Sequence, residues 1–570
     1  MKSKRLLAAL VSCVVLTSVA LAGCGGKETA SGSKGADKEQ YLNMILQEEP
    51  KSLDPAKSTD LYSSQVISEV YDGLTRLEVD EKGKDVVKPA GAEKWDVSED
   101  GLKWTFHLRD YEWSDGKKVT AKDYEYGIKR NLDPKTASEY AYLLAPIKNA
   151  NEYNAGKAKA EEVGVKALDD KTLEITLAGP CAYFLKITYF KLMMPQRQDI
   201  VEKYGEKFGT EASNMVFCGP FTIKEWVHAN KMELVKNEKY WDAKSVKLNN
   251  VHMKIINNEA ARMQELLNGG IDFSNVQKPE WKEKFKKADK FEVKKVIEPA
   301  TNIEFFNQNV KLFSNAKVRK AFSLAVNREE VSKTLFKNDF TPAYGFVPPS
   351  LQIGDKEFRK EAKEEPIKKL KEENQDPKKL LIEGLKELGM DPDPSKVTVN
   401  YLTGSTSDQQ KEICEFFQEM YQKALGVKVN IEYVQWPVYM KRINNAEYEI
   451  SGMAWTGDYD DPMTEFDLWM TGAKALPTNY SNTKYDELIK KAALLPEEKN
   501  EERMKLFKEA EQILLYEDAV IAPAVYRARN IYQRKYVKGI MVPQFGSLYD
   551  VKYAIRKVGS NSMILCSRAF

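Results

Sequence analysis

The length, composition and charge of this chain indicate a large globular protein and exclude several classes of function. The chain has 570 residues, 42% of them hydrophobic and 11% aromatic, which is enough for several domain-sized cores. Lys and Arg (87) nearly balance Asp and Glu (85), so a nucleic-acid binder that relies on bulk positive charge is excluded. Three histidines, and six cysteines without a Cys-x-x-Cys pair, argue against a metal centre. No cofactor or metal is expected.

The N-terminal segment has the pattern of an export signal. A basic start precedes an apolar run over residues 6–22, which ends in small residues, as a secretory signal does. The run finishes in the letters LAGC, which resemble a bacterial lipobox. This resemblance implies that residues 1–23 are a signal peptide and that Cys24 is diacylated, the alternative being a retained anchor with an incidental cysteine. The small polar residues that follow predict a lipidated, flexible tether over 24–40.

Strand and helix patterns alternate from Tyr41 onwards. Apolar and polar residues alternate, between turn residues, over the predicted strands 102–108, 171–177, 221–227, 231–235, 397–402, 427–434 and 448–455. Capping and stop signals predict a helix that ends near Gly73, another that begins at Thr120, and helices over 407–425 and 437–445. Strands and helices that alternate in this way form βαβ units, so the sequence predicts an α/β protein with a partly parallel sheet.

The Lys- and Glu-rich segment 356–387 is interrupted by Pro366 and Pro377. Its charge pattern favours a pair of solvated surface helices over an interaction segment. No linker composition follows the tether, which favours domains that exchange chain segments. Residues 559–570 lack the pattern of the preceding chain and are predicted to be a disordered tail.

Four stretches of sequence form the most specific pattern in the chain. They are EPKSLDP at 49–55; a long block with AEKW at 92–95, DGLKWTFHLR at 100–109 and WSDGKKVTAKDY at 113–124; NAKVRKA at 315–321 with AVNR at 325–328; and WTGDYDDP at 455–462. In this order and spacing they resemble family 5 of the extracellular solute-binding proteins, which deliver oligopeptides to ABC importers. The resemblance covers about residues 41–558.

The resemblance implies an α/β fold of the two-lobed, periplasmic-binding-protein-like type II class, with an additional domain on the first lobe. Lobe I is expected to combine three segments, 41–72, 204–303 and 527–558. The additional domain is expected over 73–203 and lobe II over 304–526. In this fold the ligand is enclosed between the lobes, which close by a hinge.

The resemblance also implies a function and a location. The protein is expected to capture oligopeptides and to deliver them to the transmembrane subunits of an ABC permease. It is expected to be a monomer, not an enzyme, held on the outer face of the bacterial cytoplasmic membrane by its lipid anchor. The same fold with another cargo, such as a nickel chelate, haem, an oligosaccharide or a signalling peptide, remains open.

A surface glycoside hydrolase that uses Asp458, Asp460 and Asp461 is the alternative from another class. These acids share one short loop, whereas hydrolysis places its two carboxyl groups on opposite sides of the scissile bond. The loop also lacks the twelve-residue pattern of a calcium site. The sequence therefore favours a binding protein.

The WTGDYDDP loop carries the main candidate ligand contacts. A receptor for peptides of any sequence pairs with the peptide backbone and neutralises its termini with opposite charge. The resemblance assigns the α-ammonium of the ligand to Asp458, a turn-forming aspartate being the alternative. Trp455 is expected to wall the pocket or to be a core aromatic. Thr456 and Gly457 are expected to offer backbone groups, a plain turn being the alternative for the glycine.

Two further segments are candidate contacts by the same resemblance. Thr59, Asp60 and Leu61 fall where the family presents a strand to the main chain of the ligand. Tyr140 matches a pocket tyrosine of the additional domain, and surface packing is the alternative for all four residues. Some relatives place an arginine six residues before the ammonium-binding aspartate. This chain has Gly452 there, so the carboxylate partner of the ligand and the preferred peptide length stay unassigned.

Two of the six cysteines are candidates for a disulfide bond. Cys181 and Cys218 are both flanked by turn residues, and an exported protein can keep a disulfide. Two separate buried thiols are the alternative.

Overall fold

The computed structural model describes residues 39–81 and 83–557, in which strands and helices alternate. The predicted signal peptide, Cys24, all but the last two residues of the tether and the predicted tail at 559–570 lie outside the described residues. None of the described helices is both long enough and apolar enough to span a bilayer.

The elements of the described residues have these bounds. The strands are β1 (Tyr41–Leu46), β2 (Thr75–Val79), β3 (Asp85–Pro89), β4 (Ala92–Val97), β5 (Lys103–Leu108), β6 (Val165–Ala167), β7 (Thr172–Thr176), β8 (Phe221–Val227), β9 (Lys231–Lys236), β10 (Asn250–Ile255), β11 (Phe273–Asn275), β12 (Phe291–Phe306), β13 (Thr341–Pro342), β14 (Gln352–Ile353), β15 (Lys356–Glu357), β16 (Thr398–Thr403), β17 (Lys428–Tyr433), β18 (Ile450–Thr456), β19 (Ile521–Arg534), β20 (Val537–Lys538) and β21 (Ile555–Arg556). The α-helices are α1 (Leu61–Val70), α2 (Ala121–Leu132), α3 (Ala150–Asn154), α4 (Gln198–Tyr204), α5 (Glu259–Asn268), α6 (Pro279–Ala288), α7 (Ala316–Ala325), α8 (Arg328–Glu330), α9 (Phe358–Glu361), α10 (Pro366–Glu373), α11 (Pro377–Glu387), α12 (Asp408–Leu425), α13 (Trp436–Asn444), α14 (Met463–Phe466), α15 (Thr483–Ala493) and α16 (Asn500–Gln512).

The strands and helices predicted from periodicity and capping signals are confirmed. β16, α12, β17, α13 and β18 follow one another, and β16 pairs in parallel with both β17 and β18. The Thr120 N–H donates to Asp123 Oδ2 at 2.8 Å at the start of α2. α1 ends as predicted, but Gly73 does not adopt the left-handed conformation of a helix-stop glycine. A Cβ at Gly73 would lie 2.9 Å from the carbonyl oxygen of Thr75, so close packing requires the glycine.

The Lys- and Glu-rich segment is less solvated than predicted. α10 and α11 begin at Pro366 and Pro377, where a helix needs no backbone N–H. Each helix buries apolar side chains, such as Ile367 in α10 and Leu381 in α11. The charges occupy one face, and the opposite face is core.

Three sheets organise the fold. β1, β10, β9 and β8 form a four-stranded sheet in which β1 runs parallel to β10. β4, β5, β7 and β6 form an antiparallel sheet. The largest sheet has seven strands in the order β11-β19-β12-β18-β16-β17, with β13 added to β19. It joins segments that are far apart in the chain.

β12 and β19 are long antiparallel partners of 16 and 14 residues. Their register is broken between Ile297 and Thr301 and again between Asn302 and Ile303. Irregularities of this kind bend a strand and increase its twist. β18 pairs with β12 from Thr456 opposite Ala300, so the loop that follows β18 lies beside the bend.

The hydrophobic core has two main parts. The larger part extends from the two four-stranded sheets to α14, α15 and α16, and buries Trp113, Phe184 and Trp469 completely or nearly so. The second part lies between the seven-stranded sheet and α7, α11 and α12, around Phe322 and Tyr421. The loop after β18 belongs to the larger part.

Candidate functional site

The loop after β18, residues 457–465, carries the main candidate site. The Gly457 N–H donates to the carbonyl oxygen of Pro299 at 2.8 Å, which attaches the start of the loop to the bend of β12. The Asp458 N–H donates to Thr464 Oγ1 at 3.0 Å, which closes the loop on itself. Backbone and side-chain bonds therefore fix the position of the acids that the loop carries.

Asp458 is a half-buried carboxylate. Its Oδ2 accepts a hydrogen bond from the Tyr142 hydroxyl at 2.7 Å, across 316 residues of sequence. Burial raises the pKa of Asp458 to about 6, although the Tyr142 bond and the charge of Lys191 favour the ionised form. Lys191 forms no ion pair with this carboxylate, and neither does any other cation in residues 39–81 and 83–557. A cation brought to Asp458 would therefore stabilise its charge.

Aromatic side chains from residues 140–142 face this carboxylate. Tyr140 precedes a short 3₁₀ helix, and its ring stacks on that of Tyr142 with centroids 6.0 Å apart. Burial raises the pKa of Tyr140 to about 12, and the negative charge of Asp458 adds to the effect. The structure thus brings Tyr140 close to Asp458, whereas sequence analysis had not singled out Tyr142.

Lys191 connects these residues with the start of α1. Its Nζ donates to Ser58 Oγ at 3.0 Å and to Ser64 Oγ at 2.9 Å. Burial lowers the pKa of Lys191 to about 8, and the negative charges of Asp60 and Asp458 act in the opposite direction. Lys191 therefore offsets part of the negative charge of the site while its ammonium is bonded to hydroxyl groups.

The expectation of a strand at Thr59–Leu61 is wrong. Asp60 is the N-cap of α1, and its Oδ1 accepts hydrogen bonds from the N–H groups of Tyr62 (3.0 Å) and Ser63 (2.8 Å). This bonding satisfies the free donors of the first helical turn and starts the helix at Leu61, which is 56% exposed. The segment presents a helix start, rather than a strand edge, to the site.

Trp455, Thr456 and Gly457 lie where β18 ends. Trp455 is half-buried, and its Nε1 has no hydrogen-bond partner within the described ranges. Thr456 is exposed. Gly457 is buried, and a Cβ there would lie 3.0 Å from Thr464 Cγ2 and 3.3 Å from Glu465 Oε1. The glycine allows α14 to approach the strand end closely.

Two contacts hold the loop against residues 183–186. The rings of Tyr183 and Tyr459 stack, with centroids 4.7 Å apart and planes at 11°. Lys186 Nζ donates to the carbonyl oxygen of Asp460 at 2.5 Å and lies 3.1 Å from its Oδ2. The other carboxylate oxygen of Asp460, Oδ1, accepts a hydrogen bond from the Gln352 N–H at 2.8 Å. These contacts hold residues 183–186 and the backbone of Gln352 against the loop.

Asp461, the third acid of the loop, has a structural partner. Arg503 donates two hydrogen bonds to its carboxylate, at 2.9 and 2.8 Å, and both side chains are almost fully buried. Because Asp460 is paired with Lys186 and Asp461 with Arg503, neither is free to act as a hydrolytic carboxyl group. Across residues 39–81 and 83–557, no cluster of three or more His, Cys, Asp or Glu side chains is arranged to hold a metal ion.

A small cavity adjoins Lys191. Its volume is about 50 Å³, and its walls include Ser64, Tyr189, Phe545 and Ser547. A space of this size holds a few water molecules, whereas a ligand of peptide size requires several hundred Å³. Asp458 is not among the walls of this cavity, so the cavity is an additional small space beside Lys191 and does not measure the room for a ligand at Asp458.

Gly452, where some relatives have arginine, packs against a buried acid. A Cβ at Gly452 would lie 2.3 Å from Glu304 Oε1 and 2.4 Å from the Tyr401 hydroxyl. Glu304 is 4% exposed and accepts a hydrogen bond from Tyr401 at 3.0 Å. No larger side chain fits at this position without displacing the pair, so packing accounts for the missing arginine.

The candidate disulfide between Cys181 and Cys218 is absent, and both thiols are free and buried. The Cys218 N–H donates to the carbonyl oxygen of Val70, at the end of α1. Cys181 lies instead near Tyr183 and Asp461, where burial raises the pKa of its thiol to about 12. The flanking turns place the two cysteines in different surroundings, which their sequence pattern did not reveal.

Comparison with known proteins gives consistent matches over the chain. The model of the bacterial extracellular solute-binding proteins, family 5, matches residues 86–476. The oligopeptide-binding protein OppA of Bacillus subtilis is 31% identical over 95% of this chain and 98% of its own length. The crystal structure of a Bacillus anthracis oligopeptide ABC transporter, substrate-binding domain, is 32% identical with a TM-score of 0.77, over 91% of this chain and 99% of that one. Listeria monocytogenes OppA bound to peptide is 30% identical with a TM-score of 0.76, over 91% and 99%. These matches confirm the predicted two-lobed α/β fold.

Proposed function

This chain belongs to family 5 of the bacterial extracellular solute-binding proteins, and we propose that it captures peptides for an ABC importer. The family is a substrate-binding type, and the peptide-binding relatives cover nearly the whole chain. The chain binds its cargo without a chemical step and passes it to the transmembrane subunits of a permease.

The observation that carries the proposal is the state of Asp458. It is a half-buried carboxylate with a raised pKa and a neutral hydrogen-bond donor, Tyr142, on one oxygen. The α-ammonium of a peptide supplies the missing positive charge. An ammonium that loses water on entering the closed site requires such a partner, since an unpaired buried charge costs about 3–5 kcal/mol.

The other candidate residues surround this point. Thr456 and Gly457 offer backbone groups to the peptide main chain, and Trp455 and Tyr140 wall the pocket. Thr59, Asp60 and Leu61 border it from the start of α1, with Asp60 acting through the helix cap and Lys191. A receptor that pairs with the main chain tolerates many side chains, as an oligopeptide carrier must.

The proposal keeps the lobe boundaries expected from the sequence. Lobe I contains 41–72, 204–303 and 527–558, lobe II contains 304–526, and 73–203 is the additional domain. β12 and β19 cross between the lobes, and the break in their register at residues 297–303 supports a hinge there. Release of the contacts at Tyr459 and Asp460 opens the site.

The protein is a monomer held at the outer face of the bacterial cytoplasmic membrane by a lipid on Cys24. A lipid chain and a flexible tether keep the receptor close to its permease while the lobes move. Labelling of the expressed protein with a palmitate analogue tests this arrangement. Label on the natural chain and none on Cys24→Ser is expected, and equal labelling of both would contradict it.

The substitution Asp458→Ala tests the peptide site. Tripeptides with a free amine are expected to lose about a hundredfold in affinity, measured by isothermal titration calorimetry, because their ammonium loses its counter-charge. N-acetylated tripeptides, which bind weakly to the natural protein, are expected to change little. Asp408→Ala, at an exposed helix start, is the control and is expected to bind as the natural protein does.

Two outcomes would contradict the proposal. Equal loss for free and acetylated peptides would mean that Asp458 does not contact the ammonium. Mass spectrometry of ligands that purify with the protein tests the cargo itself. If sugars, haem or metal chelates purified with the protein and peptides did not, the cargo would not be a peptide.

A further inference from the structure

Glu465 is a buried acid that the fold leaves without a partner. It lies in α14, is 0% exposed, and neither of its carboxyl oxygens has a hydrogen-bond partner within the described residues. Its Oε1 is 3.3 Å from the position of a Cβ on Gly457, the residue before Asp458. Phe545, a wall of the cavity beside Lys191, lies 3.7 Å from the same position. The carboxyl group therefore lies directly beside the residue that precedes Asp458.

The charges around Glu465 are mostly negative. Asp458, Asp467 and Glu511 all raise its pKa, in addition to the larger effect of burial. Glu511 is already paired with Arg359. Burial also raises the pKa of Asp467 to about 7, with Asp458 adding to it.

The nearby cations are already engaged by other groups. Lys186 is bonded to Asp460, Arg503 to Asp461, and Lys191 to two serine hydroxyls. A buried acid that lacks a partner destabilises the folded protein. The site therefore holds more carboxyl groups than one ligand ammonium can neutralise.

We propose that Glu465 binds a second positive charge of the ligand, the side-chain ammonium or guanidinium of a basic residue at the first or second position of the peptide. The proposal rests on the proposed function, because it takes the α-ammonium to lie at Asp458. The loop places Glu465 next to Gly457 and Asp458, so a side chain close to the peptide N-terminus reaches it. Glu465 and its neighbour Asp467 thereby make the receptor selective for basic peptides.

Burial raises the pKa of Glu465 well above its usual range, and a ligand cation beside this carboxyl group favours its ionised form. Binding of a basic peptide is therefore expected to favour release of a proton from Glu465. Asp467, Asp458 and Glu511 are the acids whose charges act on Glu465, while Lys191 acts on Asp458 and Arg359 is paired with Glu511. A neutral side chain at the same position causes no such release.

The test compares matched peptides on the natural protein and on Glu465→Gln. The peptides are tripeptides of alanine with lysine, or its neutral isostere norleucine, at position one or two. Isothermal titration calorimetry at pH 7 in two buffers of different protonation enthalpy gives affinity and proton release. The natural protein is expected to prefer lysine at one of the two positions by about tenfold and to release more protons on binding the lysine peptide than on binding the norleucine peptide. In Glu465→Gln the ratio of the two affinities is expected to fall to about one.

Glu487→Gln, which removes the same charge from an exposed position of α15, is the control and is expected to keep the preference. An absent preference in the natural protein, or an unchanged one in Glu465→Gln, would overturn the inference while peptide binding itself stands. If no tripeptide bound, the proposed function would fail instead. If Glu465→Gln does not fold, the affinities of the natural protein for the lysine and norleucine peptides still test the inference.

Discussion

The acids in the two parts of the loop after β18 differ in whether a cation of the chain pairs with them. The fixed part, Asp460 and Asp461, has cations of the chain as partners, Lys186 and Arg503. The open part, Asp458 with Glu465, has no ion pair within the described residues, and burial raises both pKa values. Acids a few residues apart thus divide into those that are paired with a cation of the chain and those that are not.

The largest expected effect comes from breaking the fixed part. Arg503→Met leaves the Asp461 carboxylate buried without a cation, so the free energy of unfolding is expected to fall by about 3–5 kcal/mol in urea denaturation. Arg442→Met, which breaks the exposed pair with Glu432, is the control and is expected to cost less than about 1 kcal/mol. Equal losses would remove the distinction between the two parts.

In the open part, Asp458 is expected to make peptide affinity depend on pH. Because the pKa of Asp458 in the empty site is about 6, the acid is protonated below that pH and cannot attract an ammonium. Affinity for a neutral tripeptide with a free amine is expected to fall about tenfold between pH 7 and pH 5. The same titration of Asp458→Asn is expected to be nearly flat, and an equal pH dependence in both proteins would assign it to another group.

The smallest effect concerns the contact that joins the fixed part to residues 183–186. Lys186→Met removes the bonds to Asp460, which hold the site closed, and is expected to weaken peptide binding about threefold. Lys122→Met, at an exposed position of the same region, is the control and should bind normally. A loss in Lys186→Met as large as that of Asp458→Ala would mean that Lys186 contacts the ligand directly.

Much of the fold was predictable because its signals are local. The run from β16 to β18 alternates apolar strands with capped helices of normal length, and each element appears where its pattern predicts it. Thr120 and Pro377 mark helix starts through bonding within a few residues. The motif around Asp458 pointed to the loop that carries the site.

The errors and omissions have a common cause. Thr59–Leu61 was expected to be a strand, but the Asp60 side chain bonds to the two amides that start α1. The sequence signal for Tyr142 as a site residue is weak, since it is only a second tyrosine two positions after Tyr140. Lys191 has no sequence signal, because its serine partners lie more than 120 residues away.

The sequence by itself determined the α/β alternation, the family and the position of Asp458, since these depend on local periodicity and on a contiguous motif. The tertiary structure alone decided which acids are neutralised. Coulomb interactions and desolvation depend on distance and burial, and both are set by segments that approach each other only in the folded chain. For this reason Asp461 and Asp458, three positions apart, have different partners: Asp461 pairs with Arg503, and Asp458 accepts a hydrogen bond from Tyr142.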